Sequence, residues 1–129
     1  MPKRFLGKVF EVEIDRPLGS NHPKFKDCIY PINYGFIPGV LGGDGEELDV
    51  FLLGVDKPVS AFTGEIIGIV YRADDVEDKL VMAPTGIVFS AEEIARAVYF
   101  QEKYYDTTIR DINGQTAAVG ELTLNKGEK

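Results

Sequence analysis

A succession of short strand-like runs, separated by loops rich in glycine and proline, occupies the first two thirds of the chain. In the first run, residues 8–15, the apolar residues Phe10, Val12 and Ile14 alternate with acidic ones. Because successive side chains of a strand point to opposite faces, this pattern predicts a half-buried strand. Further runs predict strands at 48–54, 64–71 and 79–83. This succession favours a mainly β structure.

The last third of the chain combines a helical segment with a hairpin signal. Ser90 and Glu93 have the spacing of a capping box, which marks the start of a helix. Residues at helical spacing then follow, and they predict a helix over 91–105. The Asn-Gly pair at 113–114 predicts a hairpin turn between two short strands within 107–124.

An aromatic and β-branched segment at 28–39 contains two prolines, Pro31 and Pro38. Proline removes a backbone donor from a sheet, so this segment is predicted to be an edge strand or a bent extended stretch. All the elements together predict an α+β, mainly β fold: a small OB-like β-barrel with a C-terminal helix. At this length we expect a single domain, residues 1–129.

A glycine-rich turn carries a group of acidic residues directly before the strand at 48–54. Asp44, Glu46 and Asp49 lie within six consecutive positions, where their charges repel one another. Such a cluster is tolerated most easily when a hard cation binds among the carboxylates, and Mg²⁺ and Mn²⁺ prefer oxygen ligands together with phosphate oxygens. The turn therefore predicts a metal site for a phosphorylated ligand. A solvated hairpin turn is the alternative, because Gly and Asp are also common turn residues.

A second acidic run, residues 74–78, lies between two predicted strands and ends at Lys79. Four of its five residues are acidic, which a solvated surface loop would also explain. If the two acidic segments meet in the fold, their carboxylates surround one pocket. Lys79 could then bind phosphate as a point charge.

Charge and hydropathy exclude two classes of function. The net charge is −7, whereas binding to nucleic-acid backbones generally needs a basic face, so we expect no nucleic-acid partner. No apolar run approaches the ~20 residues that span a membrane, so no membrane association is expected. Residues 1–4 are not followed by the apolar segment of a secretory signal, and the single Cys28 is typical of a reducing compartment. We therefore expect a cytoplasmic protein.

Three ordered motifs resemble the soluble family I inorganic pyrophosphatases. Residues 30–37, Tyr-Pro-Ile-Asn-Tyr-Gly-Phe-Ile, resemble the family's Tyr-Pro-x-Asn-Tyr-Gly-Tyr-Ile segment. Residues 44–50, Asp-Gly-Glu-Glu-Leu-Asp-Val, are similar to its Asp-Gly-Asp-Pro-x-Asp-x signature, and 74–84 resemble its second acidic loop. The resemblance implies a five-stranded barrel with accompanying helices, which agrees with the elements predicted above.

The resemblance also implies a role for each matching residue. The metal ligands that it implies are Asp44, Asp49, Asp74 and Glu77, with Asp78 as the alternative to Glu77. Spacing favours Glu77, because residues 77 and 79 would share one face of a strand. The catalytic residues that it implies are Glu46, which orients or deprotonates the attacking water, with Tyr34 and Lys79. The substrate-binding residues that it implies are Glu13, Lys24, Tyr34, Lys79 and Tyr104.

Several positions depart from the family pattern. Glu46 stands where the family has Asp, Glu11 stands where it has a lysine, and Tyr105 replaces the lysine of a Tyr-Lys pair. The family arginine after the first strand has no clean match, and the candidates that could replace it are Arg16, His22, Lys24 and Lys26. These changes remove positive charge from the phosphate end of the site.

The resemblance implies a Mg²⁺-dependent hydrolase, with Mn²⁺ as a possible substitute. The substrate that the resemblance implies is inorganic pyrophosphate, split into two orthophosphates by a metal-activated water. Two alternatives stay open: hydrolysis of another phosphoanhydride on the same scaffold, and a catalytically weak module that binds metal or phosphate. The expected partner is a small phosphorylated substrate, and a homo-oligomer is possible.

Overall fold

In a computed structural model, the described residues are 2–24, 26–42, 45–73 and 78–122. They form strands β1 (Val9–Arg16), β2 (Asn33–Leu41), β3 (Glu47–Leu52), β4 (Ala61–Arg72), β5 (Lys79–Ala83), β6 (Thr107–Asp111) and β7 (Thr116–Ala118). The helix α1 spans Ala91–Glu102, and short 3-10 helices span Pro2–Phe5 and Val119–Glu121. Within the described ranges no helix is long and apolar enough to span a membrane.

Five of the strands close into a barrel. The sheet order is β1-β2-β3-β5-β4-β6-β7, and an additional pairing of β1 with β4 joins the two ends of the five-stranded part. The strands pair antiparallel except β3 with β5, which are parallel. The long strand β4 then extends beyond the barrel and pairs with β6. The predicted mainly β, OB-like five-stranded barrel with a C-terminal helix is confirmed.

Two apolar cores lie on opposite faces of this sheet. The barrel interior is filled by one set of buried side chains, among them Val12, Val50 and Leu80. On the outer face, α1 covers a second set that includes Val81 and Ile94. Because the face of a strand changes at every residue, Leu80 points into the barrel while its neighbours point toward the helix side.

Two predictions from the sequence are corrected. The segment at 28–39 was expected to form an edge strand or a bent stretch, but β2 lies between β1 and β3 and pairs with both. Pro31 precedes the strand, and Pro38 lies where the β2–β3 register shifts, so neither proline interrupts a regular ladder. The helix was expected to extend to residue 105, but it ends at Glu102.

The other predicted bounds agree with the structure to within a few residues. The strand at 79–83 has the predicted ends, and the predicted hairpin at 113–114 joins β6 to β7. Ser90 caps α1: its hydroxyl accepts the Glu93 N–H, and the Glu93 carboxylate accepts the Ser90 N–H. Asp111 strengthens the same helix start by accepting the Ala91 N–H at 3.1 Å.

Candidate active site

The candidate site lies on the outer face of the barrel, beyond the C-terminal end of α1. In the parallel pair β3–β5, Val50 is opposite Leu80, and both point into the barrel. Asp49 and Lys79 each precede one of these residues, so alternation brings their side chains together on the outer face. The register of two strands that are thirty residues apart therefore positions the central ion pair.

Lys79 is the centre of a compact polar group. Its ammonium donates hydrogen bonds to Asp49 Oδ2 at 2.8 Å and to the Tyr34 hydroxyl at 2.9 Å. Only 4% of its side chain is exposed. Burial by itself would lower the pKa of Lys79, but Tyr34 and Asp49 more than offset this, so its pKa is raised above the ordinary value. The site therefore holds a charged ammonium at neutral pH.

Tyr34 is held at this place by a close approach of β1 and β2. Gly35 follows it, and a Cβ at Gly35 would collide with the Glu13 carbonyl and lie 2.8 Å from Ile14 Cα. Only glycine fits this crossing, so the strands pair closely on both sides of it. The Tyr34 and Phe51 rings pack with their centroids 4.9 Å apart. In this position the Tyr34 hydroxyl accepts a hydrogen bond from the Lys79 ammonium.

A cavity of about 420 Å³ opens next to this group. Four basic side chains line it, and they come from three separate parts of the chain: Arg16, Lys24, Arg72 and Lys79. The rest of the described lining is aromatic or neutral: His22, Pro23, Cys28, Tyr30, Tyr34, Phe100, Gln101, Tyr104 and Tyr105. The described lining includes no acidic side chain, and two of its basic side chains, Lys79 and Arg72, are paired with carboxylates outside it, those of Asp49 and Glu102.

The loop after β1 supplies one wall of the cavity. His22 stacks on Tyr30 with ring centroids 5.8 Å apart, and its Nδ1 accepts the Lys24 N–H at 3.0 Å. Burial and the neighbouring charges of Arg16 and Lys24 lower the pKa of His22, so the imidazole is neutral at pH 7. Of the residues proposed to replace the family arginine, Arg16, His22 and Lys24 line the cavity, whereas Lys26 does not.

Another part of the cavity lining, Arg72, belongs to a buried ion pair that no sequence motif indicated. Arg72 Nε and Nη2 donate to the two carboxylate oxygens of Glu102 at 2.9 and 2.6 Å. Glu102 is fully buried and also accepts the Thr107 hydroxyl at 2.9 Å. Burial would lower the pKa of Arg72, but the hydrogen bonds and charge of Glu102 raise it further than burial lowers it. The Arg72 guanidinium is therefore held in its charged form.

Of the predicted acidic residues, Asp49 contacts the cavity-lining Lys79, and three others lie outside the described residues. Glu13, Phe36 and Asp49 form one register row across β1, β2 and β3, so Glu13 lies on the same outer face, about 10 Å from Asp49. Glu46 is exposed in the turn before β3, where its carbonyl accepts the Gly42 N–H at 2.7 Å. The predicted ligands Asp44, Asp74 and Glu77 lie outside the described residues.

The described ends of both acidic segments lie at the same end of the sheet. Glu46 directly precedes β3, and Asp78 directly precedes β5. Since β3 and β5 are parallel neighbours, both segments enter the sheet from one side. The donors at this end are carboxylate oxygens, which suit a hard divalent cation. Within the described ranges alone, no group of three or more His, Cys, Asp or Glu side chains could hold a metal ion.

Of the other predicted substrate-binding residues, Lys24 and Tyr104 line the cavity, and both side chains are largely exposed. Tyr104 follows the end of α1, with the Lys103 ammonium 5.4 Å from its ring. Tyr30 donates its hydroxyl to Gln101 Oε1 at 3.0 Å, which ties the start of β2 to the end of the helix. Burial raises the pKa of Tyr30, so this hydroxyl stays a donor at neutral pH.

Comparison with known proteins identifies the family of this chain. A family model described as inorganic pyrophosphatase matches residues 10–110. The inorganic pyrophosphatase of Neisseria meningitidis is 34% identical over 98 residues, which cover 60% of this chain and 55% of that protein. The solved inorganic pyrophosphatase of Neisseria gonorrhoeae has a TM-score of 0.56 at 27% identity, over 79% of this chain and 80% of that one.

The solved pyrophosphatase of Ehrlichia chaffeensis has a TM-score of 0.62 over 84% of this chain and 88% of that one, and at 20% identity it shows the shared fold alone. Fold and cavity together define an OB-like barrel with a cavity lined by basic side chains on its outer face. The family model covers most of the chain, so the chain belongs to the inorganic pyrophosphatase family. It spans about half the length of the curated relatives that it matches.

Proposed function

We propose that this chain is a hydrolase that splits inorganic pyrophosphate into two orthophosphate ions and depends on a divalent cation, with Mg²⁺ preferred and Mn²⁺ as a substitute. The observation that carries the proposal is the cavity with four basic side chains beside Asp49. Placing four basic side chains in one concave site does not make an acidic chain more soluble. A multiply charged anion, however, binds favourably at such a site. Membership of the pyrophosphatase family favours pyrophosphate as that anion.

Lys79 and Tyr34 are proposed to bind one phosphoryl group together. The ammonium has three donors, and its bonds to Asp49 and Tyr34 fix its position before any ligand arrives. Preorganised donors stabilise developing negative charge without a further cost of reorientation. Lys24 and Tyr104 are proposed to contact the other end of the substrate, because they line the cavity near its exposed rim.

The carboxylates are proposed to serve the metal and the attacking water. Asp44, Asp49, Asp74 and Glu77 would hold a divalent cation, which would supply charge neutralisation for the phosphoryl groups and would make a bound water more acidic. Glu46 is proposed to accept the proton of the attacking water at its carboxylate, as a general base. Glu13, which lies on the same outer face of the barrel, is proposed to be a substrate-binding residue.

The experiment that tests this function is phosphate release from pyrophosphate by the purified chain. Reactions contain Mg²⁺, Mn²⁺ or a chelator, and a nucleoside diphosphate is supplied in parallel as a phosphoanhydride with an organic half. We expect release with either metal, none with the chelator, and much faster turnover of pyrophosphate than of the nucleotide.

Two results would replace this function with another. Faster turnover of the nucleotide would assign the chain to hydrolysis of an organic phosphoanhydride. No release from either substrate, combined with measurable binding of orthophosphate, would leave a phosphate-binding module without the reaction.

A further inference from the structure

Arg72 occupies a position at the cavity that none of the three sequence motifs anticipates. It is the last residue of β4, and it lies two residues beyond Val70, which is opposite Lys79 in the β4–β5 ladder. Side-chain alternation therefore puts Arg72 and Lys79 on the same outer face. Both line the cavity, although Arg72 is only 7% exposed.

The guanidinium lies between a buried carboxylate and the cavity. Glu102 is fully buried and is not part of the cavity lining, whereas Arg72 is. The two hydrogen bonds to Glu102 use the edge formed by Nε and Nη2, so the Nη1 corner is directed away from the carboxylate. The ion pair is thus a dipole whose positive end is on the side of the cavity.

The aromatic residue after the helix fixes the plane of the guanidinium. Arg72 Cζ lies 3.7 Å from the ring centroid of Tyr105, which is a stacking contact. Tyr105 replaces the lysine of the family pattern, so this chain holds an arginine by stacking at the place where a direct cation is expected. A guanidinium fixed by stacking and by a bidentate pair loses little further freedom when it binds a phosphate.

We propose that Arg72 is a substrate-binding residue that contacts a phosphoryl group at the helix side of the cavity, on the same outer face as Lys79. This inference rests on the proposed function for the identity of the anion. Arg72 then restores the positive charge that Glu11 and Tyr105 remove from the family pattern. The alternative is that the pair only joins β4 to α1, a role that predicts no effect on anion affinity.

The test compares anion binding by two matched double variants. Arg72→Met with Glu102→Gln removes the ion pair and keeps a carbonyl acceptor for the Thr107 hydroxyl. The control is Arg96→Met with Glu92→Gln, which removes an exposed Arg–Glu pair on the same helix, with its atoms 2.8 Å apart. Calorimetric titration uses methylenediphosphonate with Mg²⁺, a diphosphate analogue that is not hydrolysed, and urea unfolding checks the fold of each variant.

We expect the cavity variant to bind the analogue at least about tenfold more weakly than wild type, since a charged hydrogen-bond donor is lost. The control variant should bind it within about twofold, because exposed pairs contribute little. Equal affinities in a folded cavity variant would overturn the role of Arg72 and leave the proposed function standing. Absence of binding by wild type would overturn both.

A second variant keeps the test decisive if the double variant does not fold. Arg72→Lys retains a positive charge in the same buried place but has one point donor instead of a planar fork. A single ammonium cannot bond to both carboxylate oxygens of Glu102 and also contact the anion. We therefore expect Arg72→Lys to bind the analogue at least about fivefold more weakly than wild type. Unchanged affinity for Arg72→Lys would contradict the proposed contact.

Discussion

Replacing Gly35 with alanine tests whether the close crossing of β1 and β2 supports the candidate site. The new methyl group would collide with the Glu13 carbonyl and lie 2.8 Å from both the Glu13 carbonyl carbon and Ile14 Cα. All three atoms belong to the backbone of β1, so no change of rotamer can relieve the contact. The two strands must separate, which weakens the pairs of Glu13 with Phe36 and of Ile14 with Gly35.

We expect Gly35→Ala to lower the free energy of unfolding by at least about 3 kcal/mol, the upper part of the range for overpacking, because the clash is between backbones. With slopes of about 1–3 kcal/mol per molar urea for small proteins, the unfolding midpoint should fall by about 1–3 M. The control is Gly120→Ala, where no atom lies within 4 Å of the added Cβ.

The midpoint of the control should stay within about 0.5 M of wild type, since surface substitutions away from such contacts change stability little. Urea unfolding followed by circular dichroism measures both variants under the same conditions. Equal midpoints for Gly35→Ala and Gly120→Ala would refute the claim that the β1–β2 crossing excludes a side chain.

Three further predictions concern single residues. Asn33→Ala removes a fully buried amide that makes three hydrogen bonds to loop backbone, so thermal or urea unfolding should show a loss of about 3 kcal/mol, and an unchanged midpoint would contradict this. Ser90→Ala removes the helix cap and should cost about 1 kcal/mol in the same assay, whereas no change would show that the cap is dispensable. The pKa of Lys79 is raised above its ordinary 10.5 in the folded chain, so its contribution to stability is complete below that value and declines at higher pH. Between about pH 10 and 12, the free energy of unfolding of wild type should therefore fall more than that of Lys79→Met. If the two free energies fall in parallel with pH, the raised pKa of Lys79 does not contribute to stability.

The barrel strands were largely predictable, because one face of most of them is buried. The alternation of Val12 and Ile14 with acidic residues in β1 is the pattern that the fold realises, since both side chains are buried in the barrel. The error at β2 came from reading Pro38 as a sign of an edge. The ladder with β3 is irregular between Phe36 and Leu41. Pro38 has no backbone N–H to donate, but it lies in this irregular part, where no regular pairing needs one.

The end of the helix was not predictable from spacing alone. Tyr105 continues the helical pattern in the sequence, but its ring leaves the helix direction and stacks on Arg72. A tertiary contact thus overrides local propensity in the last turn. The Lys103 N–H still bonds to the Tyr99 carbonyl at 3.0 Å, and the chain turns away directly after it.

The motifs anticipated the central ion pair but not the whole cavity. Asp49 and Lys79 were each named from an acidic segment, and the parallel register brings them together. Arg72 was not predicted as a site residue, because a single arginine at the end of an apolar strand forms no recognisable pattern and its partner Glu102 lies thirty residues away in the sequence. One signal was present: Glu102 follows Ile94 and Val98 at helical spacing, which puts an acid on the buried stripe of α1.

The measurement that tests the central claim most directly is phosphate release from pyrophosphate in the presence of Mg²⁺, compared between wild type, Asp49→Asn and Asp56→Asn. Asp49 contacts Lys79 beside the cavity. Asp56 is exposed in the turn between β3 and β4, so Asp56→Asn makes the same chemical change away from the cavity and is the control. The account predicts strong release by wild type and Asp56→Asn, with a loss of at least about a hundredfold in Asp49→Asn. Equal release by Asp49→Asn and Asp56→Asn would show that the chemistry does not depend on this carboxylate and would contradict the account.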